Sequence, residues 1–148
     1  MKITSSYKVQ IKQYRHIFDD TVRIYRDAVD FLISVCLENW NEISALDGML
    51  LRKSYVENLI HKTKEHPHPK YEFDAVFYKF PSYLRRDAIA CAIGKVSSHK
   101  SSLSNWEASD MTTRGAEPGI PKAGFEFPCM YKTVMYQRTD EYSCKVKV

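Results

Sequence analysis

Three groups of side chains in this sequence have types and spacings that could do chemistry, and each also has an ordinary structural explanation. The first is acidic: Asp19, Asp20, Asp27 and Asp30 fall within roughly three turns of a helix. Grouped carboxylates bind divalent cations or shuttle protons. Arg23 and Arg26 stand at the steps that pair charges along a helix, and acids are favoured near a helix N-terminus. Ion pairing on a solvated face therefore accounts for the cluster. The second group is His66 and His68, set between prolines. A closed zinc site takes about four ligands, and two on a loop are too few. No metal, cofactor or catalytic residue is assigned, since no serine or cysteine has a recognisable base and orienting partner in sequence.

The third group is basic and rich in hydroxyls: Arg85, Arg86, Lys95, Ser97, Ser98, His99, Lys100, Ser101 and Ser102. Arginine forks and hydroxyls suit phosphate oxygens, which fix the register of a nucleic acid without reading its sequence. Tyr83, beside the arginines, could stack on a base or sugar, or simply cover a helix start. The plainer explanation of the run is a solvated helix face, with Arg85 or Arg86 paired to a nearby acid such as Asp87.

Composition narrows the classes. The chain has 148 residues, 44% hydrophobic and 27% charged, as expected of one folded domain or two small lobes sharing a core. No apolar run approaches the ~20 residues of a bilayer span, and Met1-Lys2-Ile3-Thr4 lacks the apolar stretch of a secretory signal. The expectation is a cytoplasmic protein without membrane partners. Cys36, Cys91, Cys129 and Cys144 form no C-x-x-C pair and read as reduced thiols, although Cys129 and Cys144 could face each other across strands. The net charge of +4 is modest, but residues 15–47 carry surplus acid while 52–70 and 85–100 are basic. A one-sided electrostatic surface requires that asymmetry.

The elements that would position these groups follow from periodicity. Residues 2–12 alternate, with Ile3, Tyr7, Val9 and Ile11 on one side and Lys2, Lys8, Gln10 and Lys12 on the other, which predicts a half-buried strand. Phe18, Val22, Tyr25, Val29, Leu32, Cys36 and Trp40 then repeat at helical steps, widened by Ile24, Ala28, Phe31 and Val35, with a stop at Leu46-Asp47-Gly48. A second helix is expected with Leu51, Tyr55 and Leu59 inward and Arg52, Lys53, Lys62 and Lys64 outward, ending at His66-Pro67-His68-Pro69. Residues 71–80 suit a short helix or ordered loop. Pro81-Ser82 opens a third helix to about residue 109, with ridges of Leu84, Ala88, Cys91 and of Ile89, Ala92, Ile93, Val96. Gly94 and the nearby alanines would admit another helix closely. Residues 111–124 are a loop, and strands are expected at 125–127, 131–136 and 142–148, the last two joined by a turn at Arg138-Thr139-Asp140-Glu141. The chain stops on an alternating strand, as an interrupted domain would.

The resulting fold is α+β. A small antiparallel β wedge, a complete or incomplete barrel of oligonucleotide-binding type, comprises residues 1–13 and 119–148. A three-helix lobe, residues 14–118, is inserted between its first and later strands. Lysines would line the outside of the wedge: Lys8 and Lys12 at one end of the chain, Lys145 and Lys147 at the other. There they either meet RNA or protect sheet edges.

This layout resembles the N-terminal wedge and recognition lobe of TnpB-type transposon-associated RNA-guided nucleases and compact type V CRISPR effectors. The segments that carry the likeness are Tyr7-Lys8-Val9-Gln10-Ile11, Pro81-Ser82-Tyr83-Leu84-Arg85-Arg86-Asp87-Ala88-Ile89 and Ser104-Asn105-Trp106-Glu107. Gly119-Ile120-Pro121-Lys122 followed by residues 125–127 resembles the family's return into the wedge. The resemblance implies guide RNA and target DNA as partners, with Ser82, Tyr83, Arg86 and Arg85 placed to meet the duplex flanking the target. It also implies a non-catalytic chain, because the family's nuclease domain follows the wedge; a separate nuclease polypeptide or another protein is then a further partner. The alternative from another class is a standalone protein-interaction or regulatory domain, an inhibitor or adaptor of the same lineage, using the apolar surface of the first helix.

Overall fold

The apolar stripe that begins near residue 18 does form a helix, but a buried amide interrupts it. In the computed structural model, which describes residues 16–129, 136–141 and 143–146, α1 spans Ile17–Glu38 and α2 spans Trp40–Ala45. Between them Asn39 leaves the helical basin, at φ −114° and ψ 24°. Its Nδ2 donates to the Val35 carbonyl and to the Tyr71 hydroxyl, both at 2.7 Å, while Lys70 Nζ donates to its Oδ1 at 2.9 Å. Asparagine competes with the backbone for partners in this way, which is why it breaks helices. The Tyr71 hydroxyl donates onward to Glu38 at 2.7 Å, so the break also anchors the loop that carries Lys70 and Tyr71.

Gly48, at φ +81°, makes the left-handed turn into α3, Met49–Ile60. Of the residues expected inward on α3, Tyr55 and Leu59 are half-buried and pack against the core, whereas Leu51 is exposed. Val56 and Ile60 are the fully buried residues of this helix. Polar contacts fix the helix as well: Arg52 folds back to the carbonyls of Leu46 and Ser44, at 3.0 and 3.3 Å, and Glu57 accepts from Arg85. The His-Pro-His-Pro segment is non-helical. After it α4, Phe73–Val76, is a single turn that buries Phe73 among Phe31, Phe77 and Phe80, with ring centroids 4.7 to 5.6 Å from Phe73.

α5 spans Ser82–Ala108 and begins directly after Pro81, whose fixed φ suits a helix entrance. Leu84, Ala88, Ile89, Ala92, Ile93 and Val96 are buried, largely as the two expected ridges, with Cys91 half-buried. Ala88, Ile89, Ala92, Ile93 and Val96 meet Ala28, Val29, Leu32 and Cys36 of α1 and the inner side of α3 in one core, with Cys91 packed against it. Ala28, Ala88 and Ala92 are wholly buried and allow the close approach. Gly94 does not: nothing lies within 4 Å of where its Cβ would be.

Strands β1, Tyr136–Arg138, and β2, Cys144–Val146, pair antiparallel with Gln137 opposite Lys145. Their turn lies where the sequence places it. Thr139 N–H donates to the Ser143 carbonyl at 3.0 Å, and the Arg138 guanidinium binds the carbonyls of Asp140 and Glu141. Residues 125–127 form no strand; side chains of α1 and α5 hold them instead. The described residues are thus α+β, with helices packed together and a two-stranded antiparallel sheet, and no barrel is among them. The segment 2–12, its expected pairing with the C-terminal strands, and residues 130–135 lie outside the described residues. Among the described residues no helix is long and apolar enough to cross a membrane.

This packing separates two neighbours on α5. Ile93→Ala removes a buried side chain and should cost ~2–5 kcal/mol of unfolding free energy. Gly94→Ala enters open space in a helix interior and should stabilise by up to ~1 kcal/mol. Urea titration of both variants measures this, and destabilisation by Gly94→Ala would contradict the packing described.

Candidate nucleic-acid interface

The arginine pair at the start of α5 splits between inside and outside. Successive residues on a helix diverge by ~100°, so both cannot share one face. Arg85 lies one turn before Ile89 and continues its buried ridge; its side chain is only 7% exposed. Its Nη2 donates to Glu57 Oε1 of α3 at 3.1 Å, and its Nη1 lies 4.0 Å from Asp74 Oδ1 of α4. Its Nε has no hydrogen-bond partner among the described residues. His61 Nδ1, at the end of α3, lies 2.7 Å from Asp74 Oδ2. The expectation that Arg85 meets phosphate is therefore corrected: it is a buried cation whose partners are protein carboxylates.

That arrangement changes the charge presented outward. Glu57 and Asp74 are engaged by Arg85 and His61, and Arg86, 67% exposed, has its Nε 3.7 Å from Glu57 Oε2. Around them Lys62, Lys64 and Lys79 are exposed, against the acids Glu65 and Glu72. Lys62 follows His61 directly and Lys79 stands two residues before Pro81, so these two lie at the end where α3, α4 and α5 meet, with Lys64 on the segment that leaves it. Lys79 has φ 57°, and its ammonium lies 5.1 Å from the exposed Tyr78 ring. The first-turn N–H groups of a helix lack intrahelical partners, and among the described residues no side chain caps α5. Its positive dipole end at the exposed Ser82 therefore adds to the basic charge.

Of the residues expected to bind nucleic acid, the structure brings Ser82, half-buried Tyr83 and Arg86 to this end. Lys95 is elsewhere, ~14 Å further along α5. It is paired with the Glu126 carboxylate and donates to the Lys122 carbonyl at 3.1 Å. Lys100 is half-buried beyond it, and Lys145 is exposed on β2. Lys8, Lys12 and Lys147 lie outside the described residues. Lys79 and Tyr78 are exposed although they sit within an aromatic run, and nothing in the local sequence signals it.

A second feature crosses α1 and α5. Residues 122–129 form a strap held almost entirely by side chains. Ala123 N–H donates to Asp30 Oδ1 at 2.5 Å, and Arg26 Nε donates to the Glu126 carbonyl at 3.0 Å. Cys129 N–H donates to Asp87 Oδ2 at 2.9 Å, and the Tyr25 hydroxyl reaches the same oxygen at 2.6 Å. Asp87 thus serves α1 and the strap, and its expected pairing with Arg85 or Arg86 is replaced. The early acids are likewise structural: Asp20 pairs with Arg23 at 3.4 Å, and Asp19 lies 3.6 Å from His16.

Protonation follows from these contacts. Burial and then the Asp87 hydrogen bond push the Tyr25 phenol well above its ordinary range. Burial pushes the Cys36 thiol up to about 12 and also raises Cys91 and Cys129, so none is an activated nucleophile. Burial opposes ionisation of Glu126, but hydrogen bonds from Lys95 and the Gly124 N–H outweigh it and hold the carboxyl below its usual range. Among the described residues no group of three or more His, Cys, Asp or Glu could hold a metal ion.

A family model described as the Aq_aa04 family matches residues 3–148. The chain is also similar to a protein of Aquifex aeolicus (strain VF5) described as uncharacterized protein aq_aa04. The two are 27% identical over 135 residues, covering 84% of this chain and 76% of that protein. No solved structure matches.

Two expectations test the polar framework. Arg85→Met should lower unfolding free energy by several kcal/mol, because it leaves carboxylates unmatched at a buried junction. Arg86→Met should cost less than ~1 kcal/mol, as for an exposed pair. Equal costs in denaturant titrations would contradict the division between them. For the strap, a depressed Glu126 pKa means that its stabilising effect is complete above the ordinary value of 4.5 and is lost as pH falls through the lower folded value. Amide protection at Ala123 and Cys129, measured by hydrogen exchange, should fall below pH ~4.5 and already be reduced at neutral pH in Glu126→Gln. Unchanged protection in that variant would show that the pair does not hold the strap.

Proposed function

This chain belongs to the Aq_aa04 family, and for it we propose a nucleic-acid-binding function centred on the end where α3, α4 and α5 meet. The observation that carries the reading is the buried Arg85. It pairs with Glu57 and lies 4.0 Å from Asp74, so these two acids face Arg85 while Lys62, Lys64, Lys79 and Arg86 are exposed around them. Phosphate oxygens accept from the Arg86 guanidinium and from the uncapped N–H groups at the start of α5, where the helix dipole favours negative charge. Contacts of this kind position a nucleic acid and leave its sequence unread. Guide RNA and target-flanking DNA as the ligands, a wedge barrel completed by the first strand, a non-catalytic role and a cytoplasmic location belong to the same proposal through the resemblance in residues 81–89.

One observation favours a second reading, in which the chain is a protein-interaction domain. Met49, Leu50 and Leu51 open α3 as three consecutive exposed apolar residues, Leu50 at 78%. Such a patch suits a protein partner.

Fluorescence anisotropy with a structured RNA and a duplex DNA, across a salt series, decides between them. Each phosphate neutralised contributes ~0.7–0.9 to the slope of log K against log salt. Lys62→Ala, Lys64→Ala and Arg86→Ala together should weaken binding and flatten that slope by up to about two to three units. Absence of binding at low salt, or an unchanged slope in the triple variant, would move the protein-interaction reading ahead.

A further inference from the structure

Phe127 and Phe125, on the strap, are 66% and 92% exposed, although burying a phenylalanine side chain is worth ~1.5–3 kcal/mol. Phe127 borders a cleft of about 820 Å³ between the first half of α1 and the strap, with Phe18, Val22 and Pro128 as its apolar wall. That volume lies within the ~300–1,000 Å³ range of small-ligand sites. We infer that this cleft and the Phe125–Phe127 surface receive unpaired nucleobases of a single-stranded nucleic acid, an inference that rests on the proposed nucleic-acid function and names its single-stranded substrate.

Three features lead there. The Phe127 ring is held from one side, where the Arg26 guanidinium packs 5.0 Å from its centroid and is itself fixed by the Glu126 carbonyl. A ring backed by arginine is a stacking surface, and base–aromatic stacking tolerates any base because every base has a π face. The remaining polar wall of the cleft comprises Asp19, Asp27 and Asp30 together with Arg23 and Arg26. Carboxylates accept from the amino and imino N–H groups of bases and guanidinium groups donate to their ring nitrogens and carbonyls, so the wall offers partners for both kinds of base-edge group. Finally, the strap runs toward the basic end. Cys129, two residues beyond Phe127, donates to Asp87, the neighbour of Arg86. At ~3.3 Å per extended residue, Phe127 stands roughly 7 Å of chain from Cys129. Asp87 faces Tyr25 of α1 and Arg86 lies one step round α5 beside Glu57, so a strand held at Arg86 passes round the start of α5 to reach the ring.

Stacking and phosphate contacts separate by salt dependence. Anisotropy titrations would compare a short mixed-sequence single-stranded RNA with its duplex, using native protein, Phe125→Leu/Phe127→Leu, and Phe127→Tyr. Leucine keeps apolar bulk and removes the π face, and exposed substitutions shift stability by less than ~0.5 kcal/mol. The double variant should lose about tenfold or more in single-strand affinity at an unchanged salt slope. Its duplex affinity should stay the same, and Phe127→Tyr should bind as the native protein does. Unchanged single-strand affinity in the double variant, while the Lys62/Lys64/Arg86 changes still weaken binding, would overturn this inference alone and assign the rings to a protein contact. Failure of the native protein to bind either nucleic acid at low salt would overturn it together with the function on which it rests.

Discussion

A guanidinium withdrawn from water must be matched by carboxylates, and at Arg85 that requirement joins three helices. Glu57 of α3 and Asp74 of α4 both turn toward it, and His61 completes the set on Asp74. The pairing accords with the face α3 presents: Val56 and Ile60 are fully buried, Tyr55 and Leu59 pack half-buried against the core, and Leu51 is exposed. Glu57 follows Val56 directly and faces Arg85. The pairing also explains the position of α4, a single turn too short to be stable alone. The aromatic contacts of Phe73 fix α4 on its apolar side, and Asp74 fixes it on its polar side. Around this junction Lys62, Lys64 and Lys79 are exposed, while Glu57 and Asp74 face Arg85.

The strap supplies the second constraint. Its N-terminal end is tied by Asp30 and Lys95 and its C-terminal end by Asp87, so it runs against the direction of both α1 and α5. Little of this relies on backbone pairing. A segment held by side-chain clamps can leave its own side chains outward, as Phe125 and Phe127 are, and the cleft beside α1 exists because the strap bridges the helices. The same clamps account for polar residues that would otherwise suggest chemistry, among them Asp30, Asp87 and Lys95.

Much of the helical framework was legible in the sequence. The start of α5 at Pro81-Ser82, its end near residue 109, its buried ridges and the turn of the hairpin follow from local rules of capping and periodicity. What escaped depends on partners distant in the chain. Asn39 breaks the first helix because Tyr71, 32 residues away, is there to accept from it. Residues 125–127 have the composition of a strand, yet their anchors Arg26 and Lys95 belong to helices. Arg85 could have been placed from sequence, since it extends the ridge of Ile89, but two adjacent arginines invite a common assignment. Gly94 marked no close approach because the alanines of α5 had already provided it.

The central claim is that burial of Arg85 leaves a basic, nucleic-acid-binding end on this fold. Amide chemical shifts of the full chain, followed during titration with a structured RNA, locate the contact residue by residue. The account predicts that the largest changes fall in residues 61–64 and 78–86, with those of α2 unmoved. Changes confined to the start of α3 or to the hairpin, with residues 61–64 and 78–86 silent at saturation, would contradict it.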